Sequence, residues 1–311
     1  MSGSFWHRLF RMSRWLAAAA CYAASLAASA EEPEVAAPKN TPAAKDSLLF
    51  IDNGTIKLGV KKDWGAGIAW LSASGSEKNA VNFYDHGRLV QQSYYGEKDG
   101  SDWNGQPWKW NPVQGGDWKG HAATVEKLEH GKDWLESASI PKHWASGADI
   151  PEMRFRQRIE LKGEVATIRF TMTYSGEKAH PKEGHEIPAV FVAPELDTLV
   201  YCEAKEPWTG APLVRRKPGW PNEFATPTEP WAAYVGADGR GIGVCVPVME
   251  SFTCYRFAAD TGSPAACSYV APLTTFAITP GKTFSYECHL TLGSVEEIRV
   301  RFREICVKGT K

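Results

Sequence analysis

Apolar and polar residues alternate with a period of two along several stretches of this chain. Between Glu164 and Tyr174, Ala166, Ile168, Phe170, Met172 and Tyr174 share one face, and Thr167, Arg169, Thr171 and Thr173 share the other. From Thr283 to Leu292 the apolar set is Phe284, Tyr286, Cys288, Leu290 and Leu292; Met153–Leu161 repeats the pattern with Arg154, Arg156 and Arg158 opposite. Such runs predict half-buried antiparallel strands. Asp238-Gly239, between Trp231–Val235 and Gly241–Pro247, carries a hairpin signal. Counting every comparable run gives on the order of fifteen strands, too many for one immunoglobulin-sized sandwich. The pattern predicts an all-β fold, a large antiparallel sandwich of two broad sheets over residues 47–311, with two small tandem sandwiches as the alternative. One helix is predicted at the end. Ser294 and Glu297 form a capping box, and Val295, Ile298, Phe302 and Ile305 then fall on one face, as expected of a helix lying across the outside of a sheet.

The first thirty residues read differently. Arg8, Arg11 and Arg14 precede an alanine-rich apolar run, and Ala28-Ser29-Ala30 is an A-x-A site, which predicts a signal peptide cleaved after Ala30. Cys21 is the alternative lipoprotein site, but the residues around it lack the leucine expected there. Residues 31–46, rich in Ala, Pro, Glu and Lys, read as a tether. The expected location is therefore periplasmic or secreted, with no membrane segment after cleavage. Removing three Arg and no acid takes the formal charge from −1 to −4, which argues against a nucleic-acid partner. Six cysteines remain, Cys202, Cys245, Cys254, Cys267, Cys288 and Cys306. In an exported chain they predict one or two disulfides, against the alternative of buried thiols.

Candidate chemistry concentrates in residues 79–120. Asp85-His86-Gly87-Arg88 leads into a strand with polar groups on both faces: Arg88, Gln92 and Tyr94 on one, Gln91 and Ser93 on the other, with Tyr95 following. Those groups need either internal hydrogen bonds or a polar ligand such as a sugar. Trp103, Trp108, Trp110 and Trp118 then fall within sixteen residues among Gly, Pro, Asn and Asp. This is a loop composition whose indoles either stack on pyranose rings or plug the end of the sandwich. Gln114-Gly115-Gly116-Asp117 allows a close backbone approach and points to Asp117 as a cleft carboxylate; no Lys-Ser/Thr follows, so it is no phosphate loop. A third cluster, His180 to Val190, reads as a loop-to-strand junction that offers Glu186 or His185 as general acid/base. A metal pair of His180 and His185 matches no standard ligand spacing. The segment Trp208–Trp231, with Arg215-Arg216-Lys217, Trp220 and Glu223, reads either as a cleft wall or as a self-packed surface excursion. No cofactor or metal is called for.

The run Asn53-Gly54-Thr55-Ile56, Gly65-Ala66-Gly67-Ile68-Ala69-Trp70-Leu71 and Asn79-Ala80-Val81-Asn82 resembles the opening of galactose mutarotase-like, supersandwich carbohydrate domains. Gly87-Arg88-Leu89-Val90-Gln91-Gln92-Ser93-Tyr94-Tyr95 and Trp110-Asn111-Pro112-Val113-Gln114-Gly115-Gly116-Asp117 are similar to strings in a family of secreted bacterial proteins, a resemblance that brings no activity with it. The first resemblance implies a concave sheet that binds sugars and works through His and carboxylate side chains. The paired catalytic histidines and late glutamate of the epimerases are not matched, which sets mutarotation aside.

The expected function is an exported carbohydrate-active enzyme, a glycoside hydrolase or polysaccharide lyase. Glu186, Asp117 and His185 are its candidate catalytic residues. Asp85, Arg88, Gln91, Gln92, Tyr94, Tyr95, Trp103, Trp108, Trp110, Gln114 and Trp118 are candidates for binding the carbohydrate. The alternative is a non-catalytic glycan-binding or envelope protein.

Overall fold

In the computed structural model, residues 47–308 are described; the predicted leader, its cleavage site and the predicted tether lie outside the described residues. Among the described residues, twenty-one strands and one helix follow one another. One sheet has ten strands, its main path running Leu48–Asp52, Ile56–Lys61, Ile68–Ala73, Val90–Ser93, His180–Val192, Cys267–Ile278, Ser251–Phe257 and Glu223–Ala225. The other has nine, from Val214–Arg216 through Arg240–Cys245, Thr283–Ser294, Val165–Tyr174 and Met153–Lys162 to Thr124–His130. We call them the front and back sheets. The alternating runs form the long antiparallel ladders at the centre of the back sheet, with Ile168 opposite Ile159 and Cys288. The core lies between the sheets: Leu58, Val90, Val190, Phe252 and Val270 from the front meet Phe155, Ile168, Phe170, Val244 and Leu290 from the back.

Trp231–Val235 and Arg240–Cys245 pair as the Asp238-Gly239 signal predicts, with Gly239 at φ 73°. The helix Val295–Lys308 begins on its capping box, the Ser294 N–H donating to Glu297 Oε2 at 2.7 Å. Val295, Ile298 and Phe302 pack on Val200, Trp231, Ala233 and Cys245, covering the outer face of one end of the back sheet. Glu229, fully buried, receives Arg299 Nε at 3.0 Å and Nη2 at 2.5 Å, and Trp231 Nε1 at 2.7 Å, which ties the helix down. The disulfide expectation is corrected. Among the described residues Cys202, Cys245, Cys254, Cys267, Cys288 and Cys306 form no disulfide; five of them are buried, and Cys245 Sγ lies 3.5 Å from Cys306 Sγ. Among the described residues no helix is long and apolar enough to cross a membrane.

Candidate functional site

Directly opposed residues in a sheet share a face, so the ladders fix what the front sheet presents away from the core. Ser93, Glu186, Leu273 and Ser251 form one outer row. Phe191, Tyr269 and Tyr255 form a second, and Cys267 with Phe257 a third. A half-buried strand ordinarily exposes polar residues here, yet these strands are apolar on both sides. Ala189, Tyr269 and Ala271 make a small cluster of their own with Phe191 and Tyr255, separated from the main core by the sheet itself. Tyr255 stacks on Tyr269 at 4.4 Å, and Phe191 meets Tyr269 at 4.6 Å. The result is an aromatic platform on the outside of the sandwich.

Glu186 stands at the edge of that platform, where the register of its strand slips between Glu186 and Ala189. Bulges of this kind re-aim side chains. Tyr95 Oη donates to Glu186 Oε1 at 2.9 Å, and Tyr269 Oη donates to the same oxygen at 2.5 Å. Burial pushes the Glu186 carboxyl above the ordinary glutamate range; hydrogen bonds from Tyr269, Tyr95 and Ser93 and the charge of Lys109 offset only part of that shift. Burial and the neighbouring carboxylate hold Tyr95 and Tyr269 well above the usual phenol value, so both remain donors. Because the phenols converge on Oε1, the proton of the acid form is carried by Oε2. Lys109 Nζ lies 4.6 Å from the Tyr95 ring centre and 3.2 Å from Glu183. Arg88 pairs with Asp85 and sits over Tyr84 and Phe257, at 5.3 and 5.4 Å, with its buried Nε unpartnered.

A second aromatic group borders this face. Trp103 and Trp108 meet edge to face at 4.7 Å and Trp103 lies 6.0 Å from Trp144. Trp144 packs so closely on Gly87, beside Arg88, that a Cβ there would meet its ring at 2.5 Å. Trp108 Nε1 donates to Asn111 Oδ1 at 3.3 Å, and Asn111 Nδ2 reaches Ser93 Oγ at 3.2 Å, connecting the indole to the row that carries Glu186. Trp103 and Trp108 belong to a hairpin, Lys98–Trp103 with Gln106–Lys109, and not to the loop their composition predicts. Asn104-Gly105, both at positive φ, is its turn and was the sequence signal to follow.

The other candidates are placed elsewhere. Asp117 is buried and engaged by His121 Nδ1 at 2.7 Å and by the N–H groups of His121 and Lys119, so it does not stand with Glu186 as a carboxylate pair. His185 faces inward, fully buried. Its Nδ1 accepts from the Tyr95 N–H at 3.1 Å and its Nε2 donates to the Phe276 carbonyl at 3.0 Å, which leaves no nitrogen for a substrate. Burial lowers its pKa to about 4. Tyr94 lies in the core, bonded to Gln92 Oε1. Gln92 reaches the Arg156 carbonyl, Gln114 the Gly65 carbonyl and Gln157, and Gln91 the carbonyls of His86 and Gly87. These amides take internal partners, and Gln92 and Gln114 connect the two sheets. Gly115 makes its close approach to the His86 carbonyl and the Gln91 amide, not to a ligand. Trp110 is buried and stacks on His180 at 3.7 Å, while Trp118 donates to the Ala145 carbonyl.

Of the sequence candidates, then, Glu186, Tyr95, Arg88 and Asp85 lie on the outer face of the front sheet, with Trp103 and Trp108 at its border. Ser93, one of the polar strand groups, joins them, and so do Tyr269, Tyr255, Phe191 and Lys109, which had not been singled out.

No family model matches the chain, and no curated protein matches it. Solved structures do. A candidate aldose 1-epimerase of Escherichia coli K12 is 14% identical, with 80% of this chain and 99% of that one aligned and a TM-score of 0.53. A galactose mutarotase-like protein from Lactobacillus casei ATCC 334 is 10% identical over 79% and 100%, with a TM-score of 0.52. A Synechocystis sp. PCC 6803 protein is 12% identical over 79% and 96%, with a TM-score of 0.51. The fold is that of the galactose mutarotase-like proteins; at these identities the likeness speaks to architecture, and chemistry must be argued from the site.

Proposed function

Starting from the galactose mutarotase-like fold, we propose that this protein is an exported carbohydrate-active enzyme that cleaves a glycan on the outer face of its front sheet. One observation carries the reading: the half-buried Glu186 carboxyl, its pKa raised by burial, accepts from two tyrosine hydroxyls at the edge of an aromatic cluster on the outer side of the front sheet. Flat rings beside hydrogen-bonding groups suit the apolar faces and hydroxyls of a pyranose. A carboxyl whose pKa is raised by burial suits general-acid transfer to a glycosidic oxygen. Tyr95 and Tyr269 orient the carboxyl through Oε1, so that Oε2 delivers the proton. The Ser93–Asn111–Trp108 connection couples that position to the second aromatic group.

The test is mass spectrometry of a glycan panel incubated with the wild type and with Glu186→Gln. Fragments carrying added water, lost in the variant, support hydrolysis with Glu186 as the acid. Unsaturated fragments without added water overturn that assignment in favour of elimination. An intact panel favours the second reading, a glycan-binding protein without turnover. That reading has its own support, because a hydrogen-bonded Glu between two tyrosines also serves simply to hold sugar hydroxyls.

A further inference from the structure

Trp220 has no part in the chemistry above, and its setting is unusual. It is 47% exposed, in the segment between the strands Val214–Arg216 and Glu223–Ala225. Exposed indoles on long segments are ordinarily free to reorient. This one is fixed. Its ring meets Tyr255 at 4.8 Å and 87° and Phe257 at 5.1 Å and 62°. The Gly219 carbonyl accepts the Arg256 N–H at 3.2 Å, the Gly219 N–H donates to Glu223 Oε1 at 2.6 Å, and Arg216 pairs with Glu223. On the next strand Phe224, 68% exposed, opposes Thr253 and therefore shares the outer face with Tyr255. Polar groups lie between the rings, with Asn222 Nδ2 donating to Thr253 Oγ1 at 2.9 Å. A rigid, solvent-facing indole set among hydrogen-bonding groups and joined to the platform by ring contacts has the character of a stacking subsite.

Its position sets the length of the ligand. Tyr255, which Trp220 touches, is on the strand two away from the one that carries Glu186. Two strand spacings are about 10 Å, before any offset along the strands is added. A single pyranose over Glu186 does not reach so far. We propose that this face binds an oligosaccharide chain of several sugar units, with Trp220 forming the terminal stacking subsite remote from Glu186. The inference rests on the carbohydrate reading of the site and adds the size of the ligand and the residue that measures it.

The experiment is calorimetric titration with β-1,4-gluco-, α-1,4-gluco-, chito- and galacturono-oligosaccharides of one to six units. It is run on Glu186→Gln, to block turnover, with and without Trp220→Ala or Trp220→Phe. The expected result is affinity that climbs at least tenfold between two and four units in one of these series. Trp220→Ala should abolish the climb while leaving the mono- and disaccharide affinities unchanged, and Trp220→Phe should restore part of it. Affinity independent of length, or a Trp220→Ala loss equal for short and long ligands, overturns the subsite and leaves the carbohydrate reading standing. If no oligosaccharide of any series binds, both fail together. Thermal midpoints of the variants separate loss of the ring from loss of the fold.

Discussion

The two sheets differ most on the faces they turn away from each other. On the back sheet, the outward residues of the central strands are charged and paired: Arg169 with Glu287 at 2.6 Å, Arg158 with Glu136 at 3.6 Å and Glu160 at 3.4 Å, Lys162 with Glu160 at 3.0 Å. Where that sheet turns apolar residues outward, at Trp231, Ala233 and Val235, the C-terminal helix covers them. The front sheet also turns apolar residues outward, but among the described residues no helix packs on Tyr255, Phe191 or Trp220. An apolar outer face is costly in water; a helix seals one of these two, while on the other the rings cover one another, with Tyr269 buried against Tyr255 and Phe191. That asymmetry sets the surface that stabilises apart from the surface proposed to bind.

Glu186→Gln breaks the comparison on the front side. It keeps an acceptor for the two tyrosines and removes the transferable proton, so cleavage should fall by about 10²–10⁴-fold, the usual worth of a general acid. Stability at neutral pH should hold or rise, because a buried carboxyl that resists ionisation is removed. Steady-state rates and denaturant midpoints measured on the same preparation check both halves.

Glu229→Ala is the mirror experiment. It leaves Arg299 uncompensated and Trp231 Nε1 without its acceptor beneath the helix, which should cost about 3–5 kcal/mol. The denaturant midpoint should drop accordingly, while glycan affinity of the folded protein stays at the wild-type value. A loss of affinity without a loss of stability would dissolve the distinction between the two faces.

The same asymmetry explains what the sequence made legible. The back-sheet strands alternate strictly because one side meets the core and the other meets water, so Phe155, Ile168 and Cys288 could be assigned to the core by parity. Front-sheet runs such as Ala189-Val190-Phe191-Val192 and Tyr269-Val270-Ala271 are apolar on both sides, and parity does not tell core from platform. Tyr255, Tyr269 and Phe191 were missed for that reason, although a two-sided apolar run is itself a sign that the second face has a use. Glu186, Tyr95 and Arg88 were legible because charged and phenolic groups stand out beside such runs. The glutamines misled because Gln92 finds its partner at Arg156, 64 residues away, on the opposite sheet. The Trp-rich segment was read as one cleft because composition does not report which indole turns inward, as Trp110 does toward His180.

Two adjacent residues of one front strand carry opposite pH signatures. His185, inward, has its pKa lowered to about 4 by burial, from 6.5. Between those values the unfolded chain binds a proton that the folded chain refuses, so this contribution to stability is lost as pH falls through the window. Glu186, outward, has its pKa raised by burial. Above the ordinary glutamate value the folded chain keeps a proton that the unfolded chain has released, so this contribution is lost as pH rises. Urea midpoints from pH 4 to pH 8 should show the acid-side slope flattened in His185→Gln and the opposing slope flattened in Glu186→Gln. If both variants shift the same slope, burial does not move the two pKa values in opposite directions.

The smallest effect belongs to Arg169→Ala, and its smallness is informative. The side chain is 63% exposed, and its partner Glu287 41%, on the open part of the back face. At that exposure solvent screens the pair, and removing it should change stability by less than about 1 kcal/mol, with a smaller effect still at high salt. Its short N···O distance does not alter this, because water replaces the lost bond at little cost. Glycan affinity should be unaffected. A double-mutant cycle with Glu287→Ala, read at low and high ionic strength, checks the coupling. A coupling of several kcal/mol would mean that the charged ladder braces the sandwich as firmly as Glu229 and Arg299 do. Stabilisation of the back face would then have to be shared between the ladder and the helix.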